Sequence, residues 1–333
     1  MNKLFSAALA AGLGFTLLSA AVPSAQAQTV MRISHPVPTA HHLHKAIESF
    51  KADLEARTKG AFKVEIFPAE QLAKQSENHP SVARGAFEAG VLTNFTWGNT
   101  VPEMNVLTIP YLLTDLEKIK KFPGSPAAKL LEQKLEAKGV KNIAWFYITR
   151  QSIFTSAKKP LIALDDFKGL KVRGLSALSD TGLKAIGAAP TPTPAPEVYQ
   201  ALQSGVLDAG LTDVSAAVSR RFYEVQKFGT VAPYFSVYFH MFVNPAWYNK
   251  LSTGEKDALA AAAKKAEADM VGLTEATAAA AIKTLPERGM TLHMQTAAEA
   301  ATWKKALQPP VIEAFNKAVP QDGPKLIDAL NKL

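Results

Sequence analysis

The sequence predicts an α/β protein built from two domains. Three observations carry the prediction. At 333 residues the chain is long enough for about two domains of roughly 150 residues each. Segments with strand and helix periodicity alternate through roughly the first 245 residues, the pattern of largely parallel sheets. The last third then changes to an Ala-rich helical run, and no Gly/Ser linker separates two halves. The chain is therefore expected to cross between its domains more than once.

The elements follow in order. Residues 1–27 have the parts of a secretory signal peptide: Lys3, an apolar stretch from Leu4 to about Val22, and Ala25-Gln26-Ala27 as a small-x-small cleavage site. Gly12 and Gly14 interrupt that stretch, which is near the lower limit for a membrane span, so cleavage after Ala27 is expected. Val30–Ser34 reads as a short strand. A helix over 41–57 carries Ala46, Phe50, Leu54 and Ala56 as an apolar stripe and stops at Gly60. Ala61–Phe67 alternates Phe62, Val64 and Ile66 with Lys63 and Glu65, a half-buried strand. A helix around Ser81–Glu88 leads into a strand over Ala89–Phe95. Helices near Leu116–Phe122 and Ala127–Ala137 precede a strand over Asn142–Thr149. Next come a strand at Leu170–Val172, a helix over 178–187, a turn at Pro192, Pro194 and Pro196, a helix over 197–203 and a strand at Val206–Thr212. Ser252 and Glu255 have capping-box spacing at the start of the Ala-rich run, which continues to Lys283 before Pro286. About 30 residues at 1.5 Å each is roughly 45 Å, enough to lie across two domains unless Gly272 breaks the helix.

Composition excludes several kinds of chemistry. There is no cysteine, which removes disulfides, thiol nucleophiles, Cys-ligated zinc and lipid attachment at a lipobox. No G-x-S-x-G, H-E-x-x-H, P-loop or G-x-G-x-x-G occurs after residue 27, so the chain is not expected to be an enzyme and no cofactor is implied. The net charge of +8 is spread along helices as K-x-x-K without interleaved aromatics, which argues against nucleic acid. His35, His41, His42 and His44 cluster in sequence; His35, His41 and His44 offer imidazoles for a metal, and this is the alternative function. Arg150 and Arg173 each close a strand. Ligands of open α/β sheets bind beyond the carboxyl ends of strands, where an arginine can grip a carboxylate with two parallel hydrogen bonds. On the residues alone a structural pairing, for instance of Arg173 with Asp208 or Asp166, is the favoured reading.

Asp166-Phe167-Lys168-Gly169-Leu170-Lys171-Val172-Arg173 resembles the D-x-K-G-x-K-x-R motif of DctP-type solute-binding proteins of TRAP (tripartite ATP-independent periplasmic) transporters. Glu197-Val198-Tyr199-Gln200-Ala201-Leu202-Gln203-Ser204-Gly205, ending at Asp208, is similar to another block of that family. Ile66-Phe67-Pro68, Ile109-Pro110-Tyr111-Leu112, Phe222-Tyr223-Glu224-Val225 and Phe242-Val243-Asn244 match in order. The resemblance covers nearly all of 28–333. It implies a two-domain periplasmic-binding-protein-like (type II) fold with hinge strands and a long helix spanning both domains. It further implies a periplasmic receptor that closes on a small organic acid and delivers it to a membrane permease of small and large subunits. On this resemblance Arg173 anchors the ligand carboxylate and Arg150, in Thr149-Arg150-Gln151, assists. Pocket-lining regions then hold His35, His41, Asn94, Trp97, Thr212, Asp213, Ser236, Tyr238 and His240. A monomer is expected, with a dimer as the alternative. Domain I is expected to take 28–149 and about 240–280, and domain II about 150–239 and 281–333. The sequence departs from the family pattern at Gly174, where Val or Ile is usual, and after Asp208. Trp97, Phe235 and Tyr238 favour an aromatic or branched acid if they face the cleft.

Overall fold

The computed structural model describes residues 28–333. The expected signal peptide lies outside the described residues. Eleven strands form among them: β1 (Thr29–Ser34), β2 (Phe62–Phe67), β3 (Ala89–Thr93), β4 (Lys141–Thr149), β5 (Ser152–Ser156), β6 (Lys171–Gly174), β7 (Ala189–Pro192), β8 (Ala209–Asp213), β9 (Phe228–Ala232), β10 (Val237–Val243) and β11 (Thr291–Met294). They make two sheets, ordered β2-β1-β3-β10-β4 and β11-β9-β5-β8-β6-β7.

The sheets are mixed, where the alternation of elements predicts largely parallel ones. In the first, β10 runs antiparallel to both its neighbours; in the second, β5 does. The reason lies in the crossings. The chain passes from β4 straight into β5 through Arg150-Gln151, and from β9 into β10 through 233–236. A strand that arrives directly from the other domain enters at the end of the sheet facing that domain. That is the carboxyl end of the parallel strands, so the newcomer must run against them. The carboxyl ends of β1, β3, β6 and β8 consequently face the gap between the domains.

The alternation of Phe62 and Val64, both buried, with exposed Lys63 gives β2 its inward face. In the helix His42–Arg57, Leu43, Ala46, Ile47, Phe50 and Leu54 form the buried stripe, and the expected Ala56, two residues past Leu54, turns to the exposed side. Between β2 and β3 the helix occupies Gln75–Ala83, earlier than the Ser81–Glu88 expected. Pro80 sits inside this helix, and Gly85 beyond it has φ +76°, the left-handed conformation that ends a helix. The expected 178–187 helix shrinks to Thr181–Ala185, and the Pro-rich turn begins with the edge strand β7. Its prolines are tolerated because an edge strand has one unpaired side.

The Ala-rich run is one helix, Thr253–Glu287, unbroken at Gly272. Ser252 and Glu255 cap it reciprocally. Ala262, Ala266, Met270, Thr274 and Ala278 are buried at intervals of four, a stripe of mostly small side chains that allows close approach. The helix packs on His42–Arg57 and β4 of the first domain and on the helix Val214–Ser219 and β11 of the second. The segment 281–333 is shared between the domains rather than confined to the second. Trp303 packs with Phe154 and Phe167 of the second domain, whereas Leu326 and Leu330 join Leu131 and Leu135 of the first. The helix Ala297–Ala318 carries the chain back across. Among the described residues no helix is long and apolar enough to cross a membrane.

Candidate functional site

Arg173 sits at the end of β6 and is 2% exposed. Its Nε donates to the Thr193 carbonyl at 3.1 Å and its Nη1 to the Leu211 carbonyl at 2.7 Å. Its Nη2 is buried without a partner. The guanidinium is therefore aimed by two backbone carbonyls of its own domain and keeps one donor group free. Burial, aided by the nearby Arg220 cation, pulls its pKa down to about 9. A buried cation with an unused donor is a high-energy arrangement that an anion relieves. Gly174 explains itself at this point: a Cβ there would lie 2.1 Å from Asp180 Oδ2 and 2.9 Å from the Pro192 nitrogen. Burial raises the pKa of the Asp180 carboxyl to about 6.

Arg173 opens onto a cavity between the domains. Thr212, Asp213 and Arg220 line it from the second domain, and Thr93, Phe95, Val237 and Phe239 from the first. Phe235, in the second hinge, closes one side. Arg220 is a cation that sequence reasoning missed. It follows the helix Val214–Ser219, and its Nη1 donates to Thr212 Oγ1 at 3.3 Å. Burial lowers its pKa, and the Asp213 charge opposes that shift. The only sequence signal for it is its place two residues before the Phe222-Tyr223-Glu224-Val225 landmark.

The candidate residues divide. Arg173, Thr212 and Asp213 meet in this cavity, and Phe95 and Leu175 line both it and a larger chamber that Gln75, His79, Thr96 and Trp97 also line. Arg150 is not brought there. Its Nε and Nη2 pair with Glu275 of the long helix at 3.3 and 3.0 Å, and Tyr147 Oη donates to the same carboxylate at 2.7 Å. Strand β10 shows why Tyr238 and His240 also lie elsewhere. Successive side chains of a strand point to opposite faces, so Val237 and Phe239 line the cavity while Tyr238 and His240 turn away. Tyr238 Oη donates to the Ile119 carbonyl at 3.0 Å, and His240 Nδ1 meets the Asn142 side-chain amide at 2.9 Å. Ser236 Oγ donates to the Leu113 carbonyl. Asn94 Oδ1 accepts from the Tyr238 backbone N–H at 3.1 Å, which fixes β10 against the turn after β3.

The histidines surround the helix start at residue 42. His41 Nδ1 accepts from the Leu43 N–H as the helix N-cap. His35 Nε2 and His44 Nδ1 bond each other at 3.0 Å. His42 Nδ1 reaches across the gap to Ser215 Oγ at 3.2 Å, and Ser215 in turn donates to Asp213. Burial lowers the pKa values of His35 (to about 3), His41 and His42, so these rings stay neutral. The metal alternative finds no support: His35 and His44 spend their facing nitrogens on each other, and among the described residues no group of three or more His, Asp or Glu is arranged to hold an ion.

Two sheets joined by two short hinge segments, a helix lying across both, and a buried cation in the gap define a two-domain solute-binding receptor. Its closer affiliation follows from comparison. Residues 33–318 match the family described as bacterial extracellular solute-binding protein, family 7 (DctP). The chain is 32% identical over 306 residues to the C4-dicarboxylate-binding periplasmic protein DctP of Rhodobacter capsulatus, covering 90% of this chain and 91% of that one. It is 28% identical to the 2,3-diketo-L-gulonate-binding periplasmic protein YiaO of Escherichia coli, covering 95% of each. Among solved structures, a TRAP periplasmic solute-binding protein from Desulfovibrio salexigens with bound orotic acid superposes with a TM-score of 0.86 at 25% identity, covering 92% of this chain and 98% of that one. One from Polaromonas sp. JS666 bound to D-erythronate gives 0.84 at 27%, covering 91% and 98%. This chain belongs to the DctP family, whose members are TRAP substrate-binding receptors and not enzymes.

Proposed function

We propose that this receptor captures a small organic acid in the periplasm, holds its carboxylate on Arg173 between the two domains, and hands it to a membrane permease made of a small and a large subunit. The observation that carries the reading is the free, buried Nη2 of Arg173 at the carboxyl end of β6. A carboxylate there gains charge-assisted hydrogen bonds in a water-poor setting, where they are strong. Arg220 adds a second positive field, and Thr212 and Asp213 complete the polar face. Arg150, tied to Glu275, acts on the hinge rather than on the ligand. The contact from His42 to Ser215 bridges the gap and belongs to the closed form, which the permease recognises. The relatives' named ligands, orotic acid and D-erythronate among them, all carry a carboxyl group, which agrees with this choice.

Thermal unfolding of the protein lacking residues 1–27 against a panel of organic acids tests the proposal. A ligand at 100 times its dissociation constant adds about 2.7 kcal/mol and raises the melting temperature by several degrees. One carboxylate class is expected to give such a shift, and Arg173→Ala to lose it. A flat response to every acid contradicts the proposal.

A further inference from the structure

The class of acid follows from how the cavity is built, given the reading that Arg173 binds a carboxylate. Its two faces differ in kind. All of its charged side chains, Arg173, Arg220 and Asp213, come from the second domain. The face contributed by the first domain is formed chiefly by Phe95, Val237 and Phe239. Arg220 already has the Asp213 charge near it, and one of its nitrogens is used on Thr212. Two guanidinium charges against the one carboxylate of Asp213 leave a single positive charge for the ligand to balance, and the uncommitted Nη2 of Arg173 is the donor that meets it. A second carboxylate on the same ligand would meet either the apolar face, where an unpaired charge is costly, or Asp213, which repels it. Asp180, close to Arg173 behind Gly174, adds another acidic group on that side.

Size points the same way. The cavity at Arg173 has a volume of about 30 Å³, and the chamber beyond it about 310 Å³. A single water needs about 10–15 Å³, so the inner space is small and favours the shorter of two acids of like chemistry. Phe95 lines both spaces, and its ring lies 5.9 Å from the Arg173 guanidinium. We infer that the ligand is a short-chain monocarboxylate with an apolar body, and that Phe95 fixes its length by walling the Arg173 cavity off from the outer chamber.

Titration calorimetry with butyrate, 3-methylbutyrate, hexanoate, succinate and glutarate tests this. Butyrate or 3-methylbutyrate is expected to bind at least tenfold more tightly than succinate or glutarate, and more tightly than hexanoate. Phe95→Ala is expected to reverse the order of butyrate and hexanoate, with Phe95→Leu as the milder variant should the first not fold. Succinate or glutarate binding more tightly than the monocarboxylates, with that binding lost in Arg173→Ala, overturns the inference while the carboxylate reading stands. An unchanged length preference in both Phe95 variants overturns the role given to Phe95. Binding by none of these five acids overturns this inference, and the carboxylate reading falls with it only if the wider panel of organic acids also leaves the melting temperature unchanged.

Discussion

At the scale of single residues the account rests on Arg173 and the neighbours that aim it. Two backbone carbonyls hold the guanidinium, and Gly174 lets Asp180 and the Pro192 backbone close in behind it. Restoring the family's usual residue tests that packing. Gly174→Val is expected to destabilise the protein by about 1–3 kcal/mol, the cost of overfilling a tight site, read as a lower urea midpoint with unchanged slope. Unfolding like that of the unsubstituted protein would mean that Asp180 yields freely. The sequence marks Gly174 as unusual and Arg173 as a strand-closing cation. It does not show that Asp180, six residues on, is what the glycine accommodates, because that contact depends on how the chain turns after β6.

At the scale of elements, strand β10 and the long helix show what was legible and what was not. The hydrophobic run Val237–Val243 is buried on both faces, so no polar alternation reveals which parity faces the cavity. The family pattern leads to Ser236, Tyr238 and His240, whereas Val237 and Phe239 are the residues that line it. Half-buried β2, with its clean alternation, is read correctly for the opposite reason. The Ala-rich helix is legible from its capping box, yet its partners are not. Glu267 is a case in point. It accepts the Trp145 N–H, and burial, reinforced by the charge of Glu132, raises its pKa to about 7. A carboxyl whose folded pKa lies above its unfolded value of 4.5 keeps its proton better in the folded state, so its contribution is present below about pH 4.5 and is lost as pH rises towards 7. Unfolding free energy is expected to fall by about 1–3 kcal/mol over that window from this group, and Glu267→Gln to flatten the fall. Identical pH profiles for both proteins in urea unfolding would remove Glu267 as the cause.

At the scale of the whole molecule, repeated crossings join the two sheets, and the direction of β5 and β10 records two of them. At the hinge Arg150 is clasped to Glu275 on the helix that spans both domains, which ties the crossing strands to that helix. The carboxyl ends of the parallel strands then form both walls of one gap, which is why Arg173, Thr212, Asp213 and Phe95 meet there although they are far apart in sequence. The two-domain plan is legible in length and alternation, and the place of Arg173 at a strand end is legible in the D-x-K-G-x-K-x-R motif. The second cation, Arg220, and the apolar wall opposite it appear only once the domains face each other. Calorimetric titration of the unsubstituted protein and of Arg173→Lys with the acid that binds best tests the central claim most directly. Lysine keeps the charge but loses the planar fork aimed by Thr193 and Leu211. The account predicts about a tenfold or greater loss of affinity, the cost of one charge-assisted hydrogen bond, with thermal unfolding of the free protein little changed. Equal affinity for the two proteins would contradict it, and would place the carboxylate somewhere other than on Arg173.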